Sequence, residues 1–232
     1  MFFILLNECS AALFSETSIF DNKMHIIFAE SQNGNVRVFR LNVGLYRLDA
    51  FFLALSTITL PLSLIFPTVF VCIIYYLVGF DPGASRFFGF LGIMLLSTNT
   101  AAALGQVISA TTGSFSIASS MTITIIIPFV LLGGFYIVGT NIMWWIRWIR
   151  YISLFYYAYK LLIFNQFNGI VLECPPAPET CPFPDEHAIY EVYDVQEWSI
   201  SISISILFVL NIVFRITALI CFELRCYSEI SK

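Results

Sequence analysis

An all-helical integral membrane protein is the fold class that this chain predicts, and three observations predict it. Apolar residues make up 59% of the 232 residues and charged residues 11%, less than half the share of about 25% usual in soluble domains. Phe alone contributes 24 residues against 11 Lys plus Arg, too few polar side chains to cover a soluble surface of this size. Two long runs, 50–80 and 87–146, hold no charged residue at all. Together these exclude a secreted disulfide scaffold, a disordered chain and an ordinary cytosolic enzyme. At about 20 residues per helical crossing the chain accommodates four to six spans, with little left for a separate soluble domain.

Residues 1–22 read as a partial span, because Glu8 and Glu16 interrupt it. An interior carboxylate costs roughly 2.5–3.5 kcal/mol on insertion scales. No basic residue precedes the short apolar start, so it is not a signal peptide. Residues 23–48 form a polar loop carrying Lys23, Arg37, Arg40 and Arg47 around the turn Asn33-Gly34-Asn35. Its charge makes it cytoplasmic by the positive-inside rule.

The core of the membrane domain is expected over 49–167. A span at about 55–79 contains Pro61 and Pro67, which break the backbone ladder and predict a kink. Asp81-Pro82-Gly83 then makes a tight turn. The run 87–146 is too long for one crossing, so it folds back at Thr111-Thr112-Gly113-Ser114, giving spans at about 87–110 and 117–139. The first carries Ser97, Ala101, Gly105 and Ser109, each four apart. Such a stripe admits another helix closely, either one of this chain or one of a partner. Gly133-Gly134 interrupts the second span near its end.

Over 141–167, Trp144, Trp145, Trp148, Tyr151, Tyr156, Tyr157 and Tyr159 alternate with Arg147, Arg150 and Lys160. Amphipathic aromatics mixed with cations prefer the headgroup layer, so the segment is expected to be re-entrant. Residues 168–197 then form an acidic outer loop holding Glu173, Glu179, Asp185, Glu186, Glu191, Asp194 and Glu197. The last span, about 198–222, starts with a strand-like SISISISI, but a lone strand cannot cross lipid with its backbone unpaired, so helix is expected. Arg215 is expected to snorkel to the interface. The tail, 223–232, with Arg225 and Lys232, is placed in the cytoplasm.

Little reaction chemistry is available. No GxxxxGK[ST] sequence occurs in these residues, so nothing here cradles ATP phosphates. His25 and His187 lie far apart and on opposite predicted sides, which excludes a His-rich metal centre. No Ser/His/Asp or HExxH arrangement is visible. No basic tract alternates with aromatics in the manner of a nucleic-acid binder, so nucleic acid is not an expected partner. Asn99 and Gln106 are the main polar residues within the spans and are expected to bond helices together. Cys174 and Cys181 flank PPAPET in the acidic loop. In an oxidising compartment they pair with each other, pair with a second subunit, or stay free thiols; the count leaves all three open.

Several strings point one way in combination. They are Gly44-Leu45-Tyr46-Arg47, Leu60-Pro61-Leu62, Phe66-Pro67-Thr68-Val69-Phe70, Ile127-Pro128-Phe129 leading into Gly133-Gly134-Phe135, and Asn165-Gln166-Phe167. In that order, over about 42–225, they resemble the membrane domain of ABC transporters of the G subfamily, nearest to the White and Scarlet group of animal half-transporters. The resemblance implies an ABC-2 type exporter fold with six spans per subunit, working as a homo- or heterodimer. In that family an ATPase domain and a first span come earlier. The chain is therefore expected to be an incomplete membrane domain: residues 1–20 as the second span, four full spans as the third to sixth, and the aromatic segment as re-entrant outer helices. ATP and Mg would enter only through a missing or partner ATPase domain, so this chain is not itself expected to be an enzyme.

The resemblance also implies site residues. Ile127 and Val130 match positions that line the central cavity at the dimer axis. Phe135 and Tyr136 match a plug of two bulky residues beside flexible glycines, which can seal a hydrophobic passage and swing aside. Read from the residues alone, the same four simply pack or face lipid. One stretch departs from the family. Its cytoplasmic loop carries a motif close to FPxER, whereas here FAESQNGNVRVFRLNVGLYR keeps Phe28 and Glu30 loosely and has no basic residue following that Glu. The function expected is a membrane-spanning subunit of an ATP-driven exporter of small hydrophobic or lipid-like molecules, such as pigment precursors, sterols or xenobiotics, in a plasma or organelle membrane. The alternative is a truncated, non-transporting membrane protein that dimerises with intact half-transporters and modulates them.

Overall fold

A chain this apolar can satisfy its backbone away from water only as helix or closed barrel, and the computed structural model is helical. It describes residues 1–32, 48–81, 83–112, 114–136, 143–169, 190 and 199–230, with no strand among them. The helices are α1 (Phe2–Gln32), α2 (Leu48–Val78), α3 (Ala84–Thr111), α4 (Phe115–Leu131), α5 (Arg147–Ile152), α6 (Leu154–Phe167) and α7 (Ser199–Ile230). Stretches within α2, α3 and α7 (Phe52–Val78, Ala84–Thr111 and Ile200–Arg225) are long and apolar enough to cross a membrane.

Two expected boundaries differ. The span expected at 117–139 ends as a helix at Leu131. Its 17 residues extend about 25 Å at roughly 1.5 Å each, short of a hydrocarbon core of about 30 Å. The helix stops because Gly134 sits at φ +92°, a conformation that glycine adopts without a Cβ clash. The other difference is α1, which runs unbroken through the expected boundary at 22 to Gln32. It is not among the helices long and apolar enough to cross, yet its two interrupting carboxylates are tolerated. Glu8 and Glu16 are only 8% and 5% exposed, turned against neighbouring helices.

The centre of the bundle is α3, which packs against α1, α2, α4, α6 and α7. From Ser97 to Ala110 every residue except Asn99 and Val107 is buried. Its hydroxyls are satisfied within the helix: Ser97 donates to the Ile93 carbonyl at 2.7 Å and Thr100 to that of Leu96 at 2.8 Å. That leaves a smooth, small-residue surface for neighbours. The stripe Ser97, Ala101, Gly105, Ser109 lies inside this buried region, and at Gly105 the neighbour is α1. The Thr17 hydroxyl donates to the Leu13 carbonyl at 2.7 Å and reaches the Gly105 carbonyl at 3.5 Å. A Cβ at Gly105 would come within 2.7 Å of the Leu13 oxygen. Here the close approach is used within the chain.

Helices α1, α3 and α7 run parallel. Glu16 meets Gln106 while Phe20 clusters with Ala110, and Arg215 meets Asn99 while Arg225 reaches the Ser109 carbonyl. Between α2 and α3 the chain reverses. There the Gly83 N–H donates to the Asp81 carboxylate at 3.1 Å, and Arg86 pairs with the same carboxylate.

Across the end of the bundle where α2 turns into α3 lies α6. At its start the Ser153 hydroxyl donates to the Phe129 carbonyl at 2.9 Å. At its close the Asn165 amide donates to the Arg86 carbonyl at 2.8 Å, and Gln166 donates to the Tyr75 hydroxyl at 3.4 Å. Both ends of α6 are thus tied to one end of the bundle. The aromatic segment expected to be re-entrant divides here into an exposed part and a packed part. Trp144, Trp145, Trp148 and Tyr151 are exposed, but Tyr156, Tyr157, Tyr159 and Lys160 are buried, because α6 wedges against α3 and α7. The Tyr156 ring takes over the role of headgroups, with the Arg150 guanidinium 4.2 Å and the Lys160 ammonium 4.7 Å from its centroid.

The Gly105 contact sets a prediction. Gly105→Val forces α1 off α3 and is expected to cost about 1–3 kcal/mol, the usual range for overpacking. A Cβ on Gly92, in the same helix, meets nothing within 4 Å, so Gly92→Ala is expected to cause no loss. Thermal unfolding of the two variants in detergent compares them.

Candidate functional site

The residues singled out near the glycine pair gather at the end of α4. Phe135 stacks on Phe2 with centroids 4.8 Å apart and an interplanar angle of 6°. It meets Phe3 edge-on at 5.5 Å and Tyr159 at 6.0 Å. Tyr136 stands edge-on to Phe135 at 5.1 Å and to Phe2 at 5.8 Å. Offset or T-shaped aromatic pairs of this kind add about 0.5–1.5 kcal/mol each beyond burial. The Gly pair makes the cluster feasible, since a Cβ on Gly133 would press on Phe155 at 3.0 Å. Phe135 is therefore held between α1 and α6, whereas Tyr136 remains 50% exposed. Sequence reading missed Phe2, Phe3 and Tyr159 as members, because they come from distant segments with no shared spacing.

Ile127 and Val130 do not share a surface. Val130 is buried in the core, while Ile127 is 53% exposed. Ile127 belongs to an outward stripe of α4 with Ile117, Ser120, Thr124 and Leu131, spaced three or four apart as one helix face requires. Phe3, Asn7, Ala11 and Phe14 form a comparable exposed stripe on α1, the helix that packs beside α4. Cys174 and Cys181 lie outside the described residues.

The polar residues within the bundle form cross-links. Gln106 donates its amide to the Glu16 carboxylate at 3.3 Å, while the Thr59 hydroxyl donates to the Ser56 carbonyl at 3.2 Å. The Arg215 guanidinium donates to the Asn99 side-chain oxygen at 2.6 Å and to that of Asn211 at 3.4 Å. Asn99 and Gln106 do bond helices together, as their place in an apolar run suggested. Arg215 does not snorkel. It sits midway along α7, whose bounds run on to Ile230, and a carbonyl oxygen of Asn99 stands where water or headgroup was expected. Glu16 and Arg215 had looked like separate defects of separate spans.

Between α1 and α2 lies a groove of about 320 Å³. Glu8, Ser15 and Glu16 line one wall; Ser63, Phe66 and Phe70 line the other. The two helices touch each other little, because each is anchored on α3 instead.

A family model described as ABC-2 type transporter matches residues 2–167. Protein White of Ceratitis capitata is 30% identical over 228 residues, 97% of this chain and 32% of that protein. Protein White of Drosophila melanogaster is 28% identical over the same shares. ABC transporter G family member 21 of Arabidopsis thaliana is 32% identical over 149 residues, 64% of this chain and 22% of that protein. The chain thus spans about a third of the length of the White proteins it matches.

The Asn99–Arg215 bond generates the next prediction. Asn99→Leu deprives a half-buried guanidinium of its partner and is expected to cost about 1.5–3 kcal/mol, the range for bonds to charged groups. Adding Arg215→Leu removes the stranded charge, so the double variant should be more stable than the sum of the singles indicates. Thermal denaturation of all four proteins in nanodiscs closes the cycle, and strict additivity would mean that the bond carries no coupling.

Proposed function

The chain belongs to the ABC-2 type transporter family, and from that membership we propose that it forms the membrane-crossing part of a G-type, ATP-driven exporter of small hydrophobic or lipid-like molecules. Pigment precursors, sterols and xenobiotics are the classes that its White-type relationship favours. One observation carries the reading: α4 presents an open stripe of Ile117, Thr124, Ile127 and Leu131 that leads to the aromatic cluster around Phe135 and Tyr136. Together with the exposed stripe of α1, it offers a second subunit an apolar face relieved only by small polar groups such as Asn7 and Thr124. Two such faces would enclose a passage, which is why a homo- or heterodimer of half-transporters is part of the proposal.

The chemistry in this reading is mechanical. A substrate entering between the subunits exchanges lipid for the α4 stripe at little cost, since both are apolar. The barrier in this reading is the aromatic end, where Tyr136 stands half exposed beside Phe135. ATP supplies the energy when bound to a nucleotide-binding domain; no side chain of these 232 residues fits its phosphates, because the glycine-rich lysine loop that cradles them is not in this sequence. Lys23 and Arg225, at the same end of α1 and α7, mark the cytoplasmic side by the positive-inside rule.

The test is co-expression with an ATPase-bearing G-type half-transporter in membrane vesicles, reading ATP-dependent movement of a fluorescent hydrophobic dye. Transport above that of the partner alone is expected. Tyr136→Ala is expected to change its rate several-fold, while Ile58→Ala, on the exposed outer face of α2, should not. Dose-dependent inhibition without transport would refute the proposal in favour of a modulating subunit.

A further inference from the structure

The groove between α1 and α2 has a chemistry of its own. Glu8 is more than nine-tenths buried, lines the groove, and makes no hydrogen bond or ion pair with any described residue. Glu16, eight residues along the same helix, lines it too but is already engaged by Gln106. At about 1.5 Å of rise per residue the two carboxyl-bearing positions stand roughly 12 Å apart. The opposite wall adds another acceptor. Pro67 brings no N–H to the carbonyl of Ser63 four residues earlier, and both residues line the groove. The Ser63 hydroxyl is turned back onto the Leu60 carbonyl at 2.9 Å.

The polar equipment is therefore dominated by acceptors, and no Lys or Arg lines the groove. A carboxyl in such a place either stays neutral or ionises against a counter-charge. The rest of the wall is apolar and aromatic. Phe66 is 67% exposed on the outer side of α2, so the groove opens sideways, where a membrane-dissolved molecule arrives. Its volume suits one small ligand or a single alkyl chain, within the lower range of ligand pockets.

We propose that this groove is a membrane-accessible binding site for a cationic amphiphile: an ammonium head that donates to Glu8 and the Ser63 carbonyl, and an apolar body laid along Phe66 and Phe70. The occupant is a free single-chain amine, not a bilayer phospholipid, because two acyl chains and a phosphate do not suit a narrow groove lined by carboxylates. Aromatic faces beside the head strengthen cation binding. The site shares Ala11 with the exposed stripe of α1, but its occupancy rests on the membrane fold and not on the export reading.

The experiment uses the full chain in phosphatidylcholine nanodiscs, with no ATP and no partner subunit. A photoreactive dodecylamine is titrated, and its attachment is mapped by mass spectrometry. Saturable labelling of α1 and α2 peptides is expected, displaced by dodecylamine but at least tenfold less well by dodecanol or dodecyl sulfate. Glu8→Gln should weaken labelling by about tenfold, as loss of one charge-assisted bond does. Phe66→Ala alters an exposed residue that the fold does not need, and should weaken labelling with unfolding temperature unchanged. Equal displacement by dodecanol, labelling unaffected by Glu8→Gln, or labelling mapped elsewhere would overturn the proposal. So would loss of labelling when phosphatidylethanolamine replaces part of the lipid, since a headgroup would then be the occupant. None of these results depends on whether the chain exports anything.

Discussion

Close approach to α3 is the constraint on which the rest of this bundle depends. Lipid offers no hydrophobic force to drive one apolar helix against another, so association must come from intimate packing and from polar groups with nowhere else to go. α3 supplies both. Its middle is Ser, Thr, Ala and Gly, narrow enough for the α1 backbone to touch Gly105, and it carries Asn99 and Gln106 where the neighbouring helices carry Arg215 and Glu16. The small residues set the distance and the polar pairs set the register. A one-residue slip would separate both pairs at once.

This arrangement explains which helices could be read from sequence. α2 and α7 show most of their length to the outside, so their apolar runs are a direct record of where they sit. α3 was legible for the opposite reason, since small residues at a four-residue interval are a signature of contact. α1 was not. Its carboxylates look prohibitive when lipid is assumed to be their surroundings, and the side chain that engages Glu16 is ninety residues away. Sequence spacing holds no information about a partner at that distance. The same blindness affected Arg215, whose role is set by Asn99, and the tyrosines of α6, whose amphipathic character suits a headgroup layer and a protein interior equally.

The site was legible in a different measure. Gly133-Gly134 was expected to interrupt a span running on to 139, whereas the helix stops at Leu131, ahead of the pair; few residues other than glycine tolerate the backbone at Gly134. The aromatic residues next to it were found, but the partners that hold Phe135 were not. Ile127 and Val130 are three residues apart, and a helix turns about 300° over that interval. That leaves them only about 60° apart, the same spacing as Thr124 and Ile127, which share the open face; spacing alone could not show that Val130 lies just past its edge, buried in the core. The groove between α1 and α2 left no trace in the sequence, because neither wall is remarkable until the two are set opposite each other.

The cross-ties of α6 have one more implication. Because Ser153 holds the Phe129 carbonyl and Asn165 holds that of Arg86, this short helix works as a crossbeam between the tip of α4 and the hairpin joining α2 to α3. Gly89 tightens the second joint, since any side chain there would collide with Asn165. A tilt of α4 at this end cannot stay local; it must drag the hairpin along or snap a fastening. Any displacement at the aromatic end is thereby coupled to the hairpin at the far side of the crossbeam.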